Sequence, residues 1–442
     1  VVKKVDTAVV RLWGDVVGAV SWLADRDHGV VEFDRAFLRK GLDIAPIHMP
    51  LNDARSGDGI FAFPALNRET FVGLPGLLAD ALPDKFGNRI IDAWLARNGR
   101  DGASFSPVER LSYTGIRGMG ALEFAPAMKS GYAKSVPIEV SELVGLAQEI
   151  MRDRASLTAN RGATEKENAG AMADILRVGT SAGGARPKAV IAMNGDGNVM
   201  SGQVTAPEGY DYWILKFDGV DDLELGKSKD YGRIEYAYHQ MAKAAGIAMM
   251  ESRLLEENGR AHFMTKRFDR VAGEKIHVQT LCGIAHYDFN QAGAYSYEQA
   301  FAVMRKLRLS KAEAGQMYRR MVFNVIARNQ DDHTKNIAFL MGQDGKWRLS
   351  PAYDVMYSHN PGGKWTSQHQ MTLNGKRDHF TRDDLVAVAE SISLSKPGEV
   401  LSDVLNAVGR WSEFAGAAGV KEDRIGEIGQ HHRLGLLQSV VR

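Results

Sequence analysis

Cysteine is almost missing from this chain: Cys282 is the single one in 442 residues. That excludes an internal disulfide framework and a four-cysteine zinc site, and it fits a reducing compartment. Also missing is any run of about 18 apolar residues, the length a membrane helix needs. No signal-peptide pattern opens the chain, so a cytoplasmic location without a membrane is expected. Nor is there excess charge of either sign: 55 Lys and Arg against 54 Asp and Glu give a formal net charge of +1. Contact with nucleic acid would need a local basic patch or a partner. The basic stretch at residues 305–320 reads as a solvated helix face. No repeat of solenoid period occurs. The remainder, 44% hydrophobic and 25% charged, is that of a globular protein. Its length calls for two or three domains.

Strand-like and helix-like patterns divide the chain. Residues 8–13 and 16–23 are apolar runs around Gly14-Asp15, a β-hairpin pattern, and 30–33 adds a strand. Pro83-Asp84 opens a helix to about residue 97, stopped by Asn98-Gly99. Phe86, Ile90, Ile91, Trp94 and Leu95 recur there at helical spacing and are expected in the core. Small and polar residues at 128–137 mark a boundary. Helices are expected over 139–154, 165–176 and 233–245, and strands over 189–193, 211–217, 253–256 and 262–268. Beyond Phe289 the pattern turns helical at 297–307, 311–328, 382–392, 399–415 and 422–441. A strand-rich half followed by a helix-rich half predicts an α+β fold of two lobes.

Chemistry concentrates in Asn329-Gln330-Asp331-Asp332-His333-Thr334-Lys335-Asn336 and in Ser350-Pro351-Ala352-Tyr353-Asp354. Protein kinases draw a catalytic Asp and a Mg²⁺-binding Asn from one loop and a second Mg²⁺-binding Asp from another. The residues between the two stretches read as two strands around Gly342-Gln343-Asp344-Gly345. Such a hairpin brings Asn336 and Asp354 to one end, where two oxygen-bearing side chains suit Mg²⁺. Asp331 is then the candidate base, and Lys335 the cation that offsets charge on a moving phosphoryl group. A metal triplet of Asp331, Asp332 and His333, as in a phosphohydrolase, is disfavoured because consecutive residues rarely point at one ion. Upstream, Ser181-Ala182-Gly183-Gly184-Ala185-Arg186-Pro187-Lys188 combines small residues with two cations and could cradle an anion. It is not a Walker A loop, since a strand follows and the Gly-Lys-Ser/Thr ending is absent. Lys216 stands in an apolar strand and must either project from the sheet's exposed face or find a negative partner; ATP phosphates would be one, and Glu235 of the next helix could hold it in place.

With these residues in view, the chain resembles the HipA family of Ser/Thr protein kinases, toxins of bacterial type II toxin–antitoxin pairs. The likeness runs nearly full length. It includes Gly14-Asp15-Val16-Val17-Gly18, Leu82-Pro83-Asp84, Gly118-Met119-Gly120-Ala121-Leu122, the 181–188 segment, Arg267-Phe268-Asp269-Arg270 and both chemical loops. The resemblance implies a two-lobed kinase-like fold with an N-terminal module over 1–130, a nucleotide lobe over 131–268 and a helical lobe over 269–442. It implies ATP and Mg²⁺ as cofactors, Lys216 on the ATP phosphates, and Lys266, Arg267 and Phe268 as the adenine-binding hinge. It further implies autophosphorylation at Ser181 and an aminoacyl-tRNA synthetase as substrate. The implied partner is a small helix-turn-helix antitoxin of HipB type, through which operator DNA would be reached. Lys266 departs from the acidic residue often found at the hinge, and Asp332 from a residue that is often small; the latter adds negative charge beside the base. Two alternatives share these residues: a small-molecule phosphotransferase, and a catalytically silent corepressor module.

Overall fold

A computed structural model describes residues 4–97, 99–127, 134–152, 179, 186–220 and 230–437. The chain folds into two compact units, one from residues 1–229 and 253–278, the other from residues 230–252 and 279–442.

Two five-stranded sheets stand among the described residues of the first unit. Strands β1 (Thr7–Leu12), β2 (Asp15–Leu23), β3 (His28–Phe33), β4 (Ile60–Ala62) and β5 (Leu122–Ala125) pair in the order β4-β3-β2-β1-β5. Alternate residues Ala8, Val10 and Leu12 of β1 are buried, as the period of two requires. The first hairpin turns on Trp13 and Gly14, one residue earlier than Gly14-Asp15. Both have positive φ, 50° and 85°, the conformation that a two-residue hairpin loop of primed type demands. The Trp13 indole is fixed there by donating to the Lys275 carbonyl at 2.7 Å.

Strands β6 (Lys188–Met193), β7 (Val199–Ser201), β8 (Asp211–Lys216), β9 (Ser252–Glu257) and β10 (Arg260–Lys266) form the second sheet, in the order β7-β6-β8-β10-β9. One face presents Ala189, Ile191, Met193, Trp213, Leu215 and Met264. These pack into one core with Phe86, Ile90, Ile91 and Trp94 of helix Lys85–Arg97 and with Leu143 and Ala147 of helix Val140–Arg152. A helix from the N-terminal region thus shares its core with the second sheet. Lys188 and Lys216 are register partners on β6 and β8 and fall on the other face.

A buried ion triad closes the first unit. Short strands β11 (Arg270–Val271) and β12 (Glu274–Lys275) follow β10. Asp269 accepts from Arg267 Nε and Nη2 and from Arg270 Nη1, each at 2.8 Å, and from the Gly120 N–H at 2.7 Å. Arg270 also donates to the Gly118 and Gly120 carbonyls. The turn after helix Pro107–Thr114 is thereby tied to the segment after β10.

The second unit is mostly helical: helix Tyr231–Ala244 and, after strand β13 (His277–Thr280), helices Leu281–Ala285, Tyr297–Lys306, Lys311–Ile326, Arg382–Ser391, Pro397–Gly409, Trp411–Ala417 and Glu422–His431. Capping boxes Ser296/Gln299, Ser310/Glu313 and Thr381/Asp384 start three of them. The single helix expected over 399–415 is two, divided at Arg410. The helix expected over 422–441 ends at His431, and a short 3₁₀ turn, Leu434–Leu437, follows. The helix expected over 165–176 lies outside the described residues. Helix Lys311–Ile326 is the axis of this unit, burying Met317, Tyr318, Met321, Val322, Phe323, Val325 and Ile326.

Candidate active site

The two chemical loops flank a hairpin in the second unit. Strand β14 (Ala338–Met341) pairs antiparallel with β15 (Trp347–Leu349), Phe339 opposite Leu349 and Met341 opposite Trp347. Gly345 takes φ +70° in the turn, a conformation that favours glycine. The ladder continues through the Ser350 N–H to the Ala338 carbonyl at 3.0 Å, so the residues before β14 and after β15 meet. Tyr353 then ties the loops directly, its hydroxyl donating to the Lys335 carbonyl at 2.6 Å. Asp354 adopts φ +56°, a left-handed conformation that Asp tolerates better than most residues.

Asn336 and Asp354 line one cavity of about 30 Å³ together with Asn329, Asp332, His333 and Tyr353. That volume holds about one or two water-sized bodies, the scale of a cation rather than of a nucleotide. Asn336 Nδ2 donates to the Asp331 carbonyl at 2.8 Å, which identifies the amide nitrogen and leaves Oδ1 for another partner. Among the described residues no cluster of three or more His, Cys, Asp or Glu side chains could hold a metal. One carboxylate and one amide oxygen do not cage an ion by themselves. They do fit Mg²⁺, which keeps waters and completes its shell with phosphate oxygens.

Asp331 keeps its side chain 46% exposed, with His333 Nε2 at 3.8 Å from Oδ1. The His333 ring stands edge-on to Phe289, centroids 5.5 Å apart, and Lys335 Nζ lies 4.4 Å from the centre of the Phe289 ring. Thr334 anchors the loop from below, its hydroxyl donating to the Tyr287 carbonyl at 2.7 Å. The neighbouring Asp332 is buried and does not face solvent beside the base. Burial alone would raise its pKa. The His369 ring, the Tyr297 hydroxyl and the Gln370 N–H around it outweigh that and hold the carboxyl below its ordinary value.

Sequence reasoning missed two residues here. Arg320, on helix Lys311–Ile326, is buried at the cavity and donates to the Ser350 carbonyl, and burial pulls its guanidinium down to about 10. Its helical spacing marks it as part of the inward face, but only a neutral reading of charge would have placed it there. His369 carries no sequence signal, since its partner Asp332 lies 37 positions away.

The remaining described candidates lie in the first unit, Glu235 excepted. Lys216 Nζ stands 5.9 Å from the Phe263 ring centre, and Lys188 is directly opposite it in register. Like charges in that relation repel. Lys188 meets the buried Asp84 carboxylate at 3.2 Å, and Asp84 in turn caps helix Lys85–Arg97 by accepting from the Gly87 N–H at 2.6 Å. Arg186 is partly exposed just before β6. Ser181, Ala182, Gly183, Gly184 and Ala185 lie outside the described residues. Lys266 pairs with Asp211 at 2.8 Å, and Phe268 is partly buried. The Arg267 guanidinium is buried in the Asp269 triad and also donates to the Gly202 carbonyl, and its backbone N–H donates to the Tyr212 carbonyl at 2.8 Å. Glu235 is buried on helix Tyr231–Ala244 of the second unit.

Comparison with known proteins bears on the family. The family model described as the HipA N-terminal domain matches residues 8–125, and that of the HipA-like C-terminal domain matches residues 180–430. HipA of Shewanella oneidensis MR-1, solved as a toxin–antitoxin system with HipB and its operator DNA, superposes with a TM-score of 0.66 at 17% identity. That match covers 98% of this chain and 96% of the other. The proinflammatory kinase CtkA of Helicobacter pylori is 12% identical, over 58% of this chain and 94% of that one, at a TM-score of 0.32. Among curated proteins no sequence matches. Two domain models matching in order, one of them over more than half the chain, and a fold likeness along nearly its whole length lead to one statement: the chain belongs to the HipA family.

Proposed function

We propose that this protein is an ATP- and Mg²⁺-dependent protein Ser/Thr kinase of the HipA toxin type. The observation that carries the reading is the shared cavity of Asn336 and Asp354, joined to the Asp331 loop by the Asn336–Asp331 and Tyr353–Lys335 hydrogen bonds. Asn336 Oδ1 and the Asp354 carboxylate would hold the cation. Mg-ATP, when bound, supplies the phosphoryl group and spreads its negative charge over metal and protein cations. Asp331, exposed on the same loop, accepts a hydrogen bond from the incoming hydroxyl and takes its proton. Lys335 offsets charge on the transferred group, and Lys216 contributes positive charge on its face of the sheet, while Lys188 opposite it is balanced by Asp84. Lys266 to Phe268 would meet the adenine, mainly through backbone groups.

This reading uses an N-terminal module over 1–130, a nucleotide lobe over 131–268 and a helical lobe over 269–442. Ser181 is its autophosphorylation site, where a dianion would compete with ATP phosphates for the same cations. The Shewanella relative was solved with HipB and operator DNA. By that likeness the partner here is an antitoxin of HipB type; its helix-turn-helix form and a translation-related substrate such as an aminoacyl-tRNA synthetase are taken from the family resemblance alone. The test is phosphopeptide mass spectrometry of the protein and of a lysate after exposure to Mg-ATP. Wild type should label Ser181 and a lysate protein, and Asp331→Gln should label neither. Transfer retained in that variant removes Asp331 as the base.

A further inference from the structure

We infer that Arg433, acting through His369 and Asp332, positions the loop that presents Asp331. The inference rests on the phosphotransfer reading and adds to it a chain of positioning residues that reaches the C-terminal segment.

Asp332 follows Asp331 directly, and its carboxylate is held on every side. It accepts from the Tyr297 hydroxyl at 2.6 Å, from His369 Nδ1 at 2.8 Å and from the Gln370 N–H at 2.7 Å. Tyr297 in turn accepts from Asn324 Nδ2 at 3.1 Å. Asn336 holds the Asp331 carbonyl on the other side. The base therefore has little backbone freedom while these contacts last.

Which ring nitrogen of His369 carries the proton decides whether the contact with Asp332 attracts or repels. Nε2 of His369 faces Arg433 Nη1 at 3.1 Å. A guanidinium can only donate, so Nε2 must be the accepting nitrogen and the proton must sit on Nδ1, toward Asp332. Asp332 itself keeps the proton on Nδ1, and Arg433 braces the ring from the other side by donating to Nε2. Take Arg433 away and Nε2 loses its donor, so the ring can tilt away from Asp332 and the loop can shift with it.

Arg433 is fixed well enough for this task. Its N–H donates to the Ile326 carbonyl at 2.9 Å and Nη1 to the Val325 carbonyl at 2.8 Å. Nη2 donates to the Asp378 carboxylate, and the guanidinium lies 5.3 Å from the Phe380 ring centre. Val325 and Ile326 end helix Lys311–Ile326, which leads into the Asp331 loop. One side chain thus holds the helix end before the loop and braces the ring that holds the loop.

The experiment uses the full chain. ADP release from Mg-ATP is measured for wild type, Arg433→Ala, His369→Leu and His369→Asn, each checked for folding by thermal melting. Nitrogen-15 NMR of the histidine rings is recorded for wild type and Arg433→Ala. The expected results are a kcat about 10- to 100-fold lower in Arg433→Ala and His369→Leu, with KM for Mg-ATP nearly unchanged. His369→Asn, which keeps a donor near the Nδ1 position, should recover most of that loss. The His369 signal should be protonated at Nδ1 in wild type and change in Arg433→Ala. Equal impairment of the Asn and Leu variants, a wild-type His369 protonated at Nε2, or an active and unimpaired Arg433→Ala would each overturn the inference alone. Should Arg433→Ala not fold, the two His369 variants decide. A wild type that turns over no Mg-ATP would instead overturn the phosphotransfer reading, and this inference with it.

Discussion

Asp269→Ala removes the one acid from a buried pair of arginines, and its consequence can be worked out from the contacts. Three charge-assisted bonds at 2.8 Å from Arg267 and Arg270, and one at 2.7 Å from the Gly120 N–H, end on this carboxylate. Alanine would leave two guanidinium groups in a site without exposure, and breaking a buried pair in this way costs about 3–5 kcal/mol. Against a typical stability of roughly 5–15 kcal/mol, that is a large share. Tryptophan fluorescence during urea unfolding is the assay. Trp13, Trp22, Trp94 and Trp213 report on the first unit, and Trp347, Trp365 and Trp411 on the second. The loss should fall on the first unit. A triple replacement, Arg267→Met with Asp269→Leu and Arg270→Met, should lose less than Asp269→Ala, because no charge is stranded. Burial would raise the Asp269 pKa, but Arg267 and Arg270 outweigh it and hold the carboxyl well below its ordinary 3.8. Its contribution is therefore complete above the unfolded value and disappears as pH falls below it, and the Asp269→Ala variant should lack that part of the acid sensitivity. A loss under about 1 kcal/mol, or a triple variant weaker than the single one, would refute the reasoning.

Other outcomes follow from the same geometry. Asp354→Asn should raise the Mg²⁺ concentration needed for half-maximal ADP release by about tenfold or more, because a ligand charge is lost; an unchanged Mg²⁺ requirement would exclude Asp354 as a ligand. Lys188→Met should destabilise the first unit by about 3 kcal/mol by taking the Lys188 cation from the buried Asp84 carboxylate, and adding Asp84→Asn should restore part of it. A purely additive double variant would show the pair to be uncoupled. His432 is held down to about 4, first by burial and then by His431 and Arg328. Its contribution is full above pH 6.5 and lost as pH falls toward 4, and at about 1.4 kcal/mol per tenfold it is on the order of 3 kcal/mol. His432→Gln should flatten stability across that window, read by urea midpoints at several pH values; an unchanged slope would count against it.

Much of the fold was legible because it is set by neighbours in sequence. The period of two in β1 and β2, the helical spacing of Phe86 to Leu95 and the hairpin between Asn336 and Asp354 need no distant partner. Detail was lost where backbone geometry, not composition, chose. The first turn fell on Trp13-Gly14 because both must take positive φ, and Trp13 is held there by Lys275, 262 positions away. The break at Arg410 carries no proline or turn dipeptide to announce it. The burial of Asp332 was likewise invisible, since its carboxylate is compensated by Tyr297 and His369 from distant segments.

By itself, the sequence marked the first hairpin, the helix of Phe86 to Leu95, the hairpin that joins the two chemical loops, and, through its motifs, the family. The three structural elements follow from local periodicity and short spacing, which survive any rearrangement of distant segments. Tertiary structure decided which charges are neutralised: Asp84 with Lys188, Asp269 between two arginines, and Asp332 beneath His369 and Arg433. A buried charge is tolerated only when a partner arrives in three dimensions, and nothing along the chain says which partner that will be.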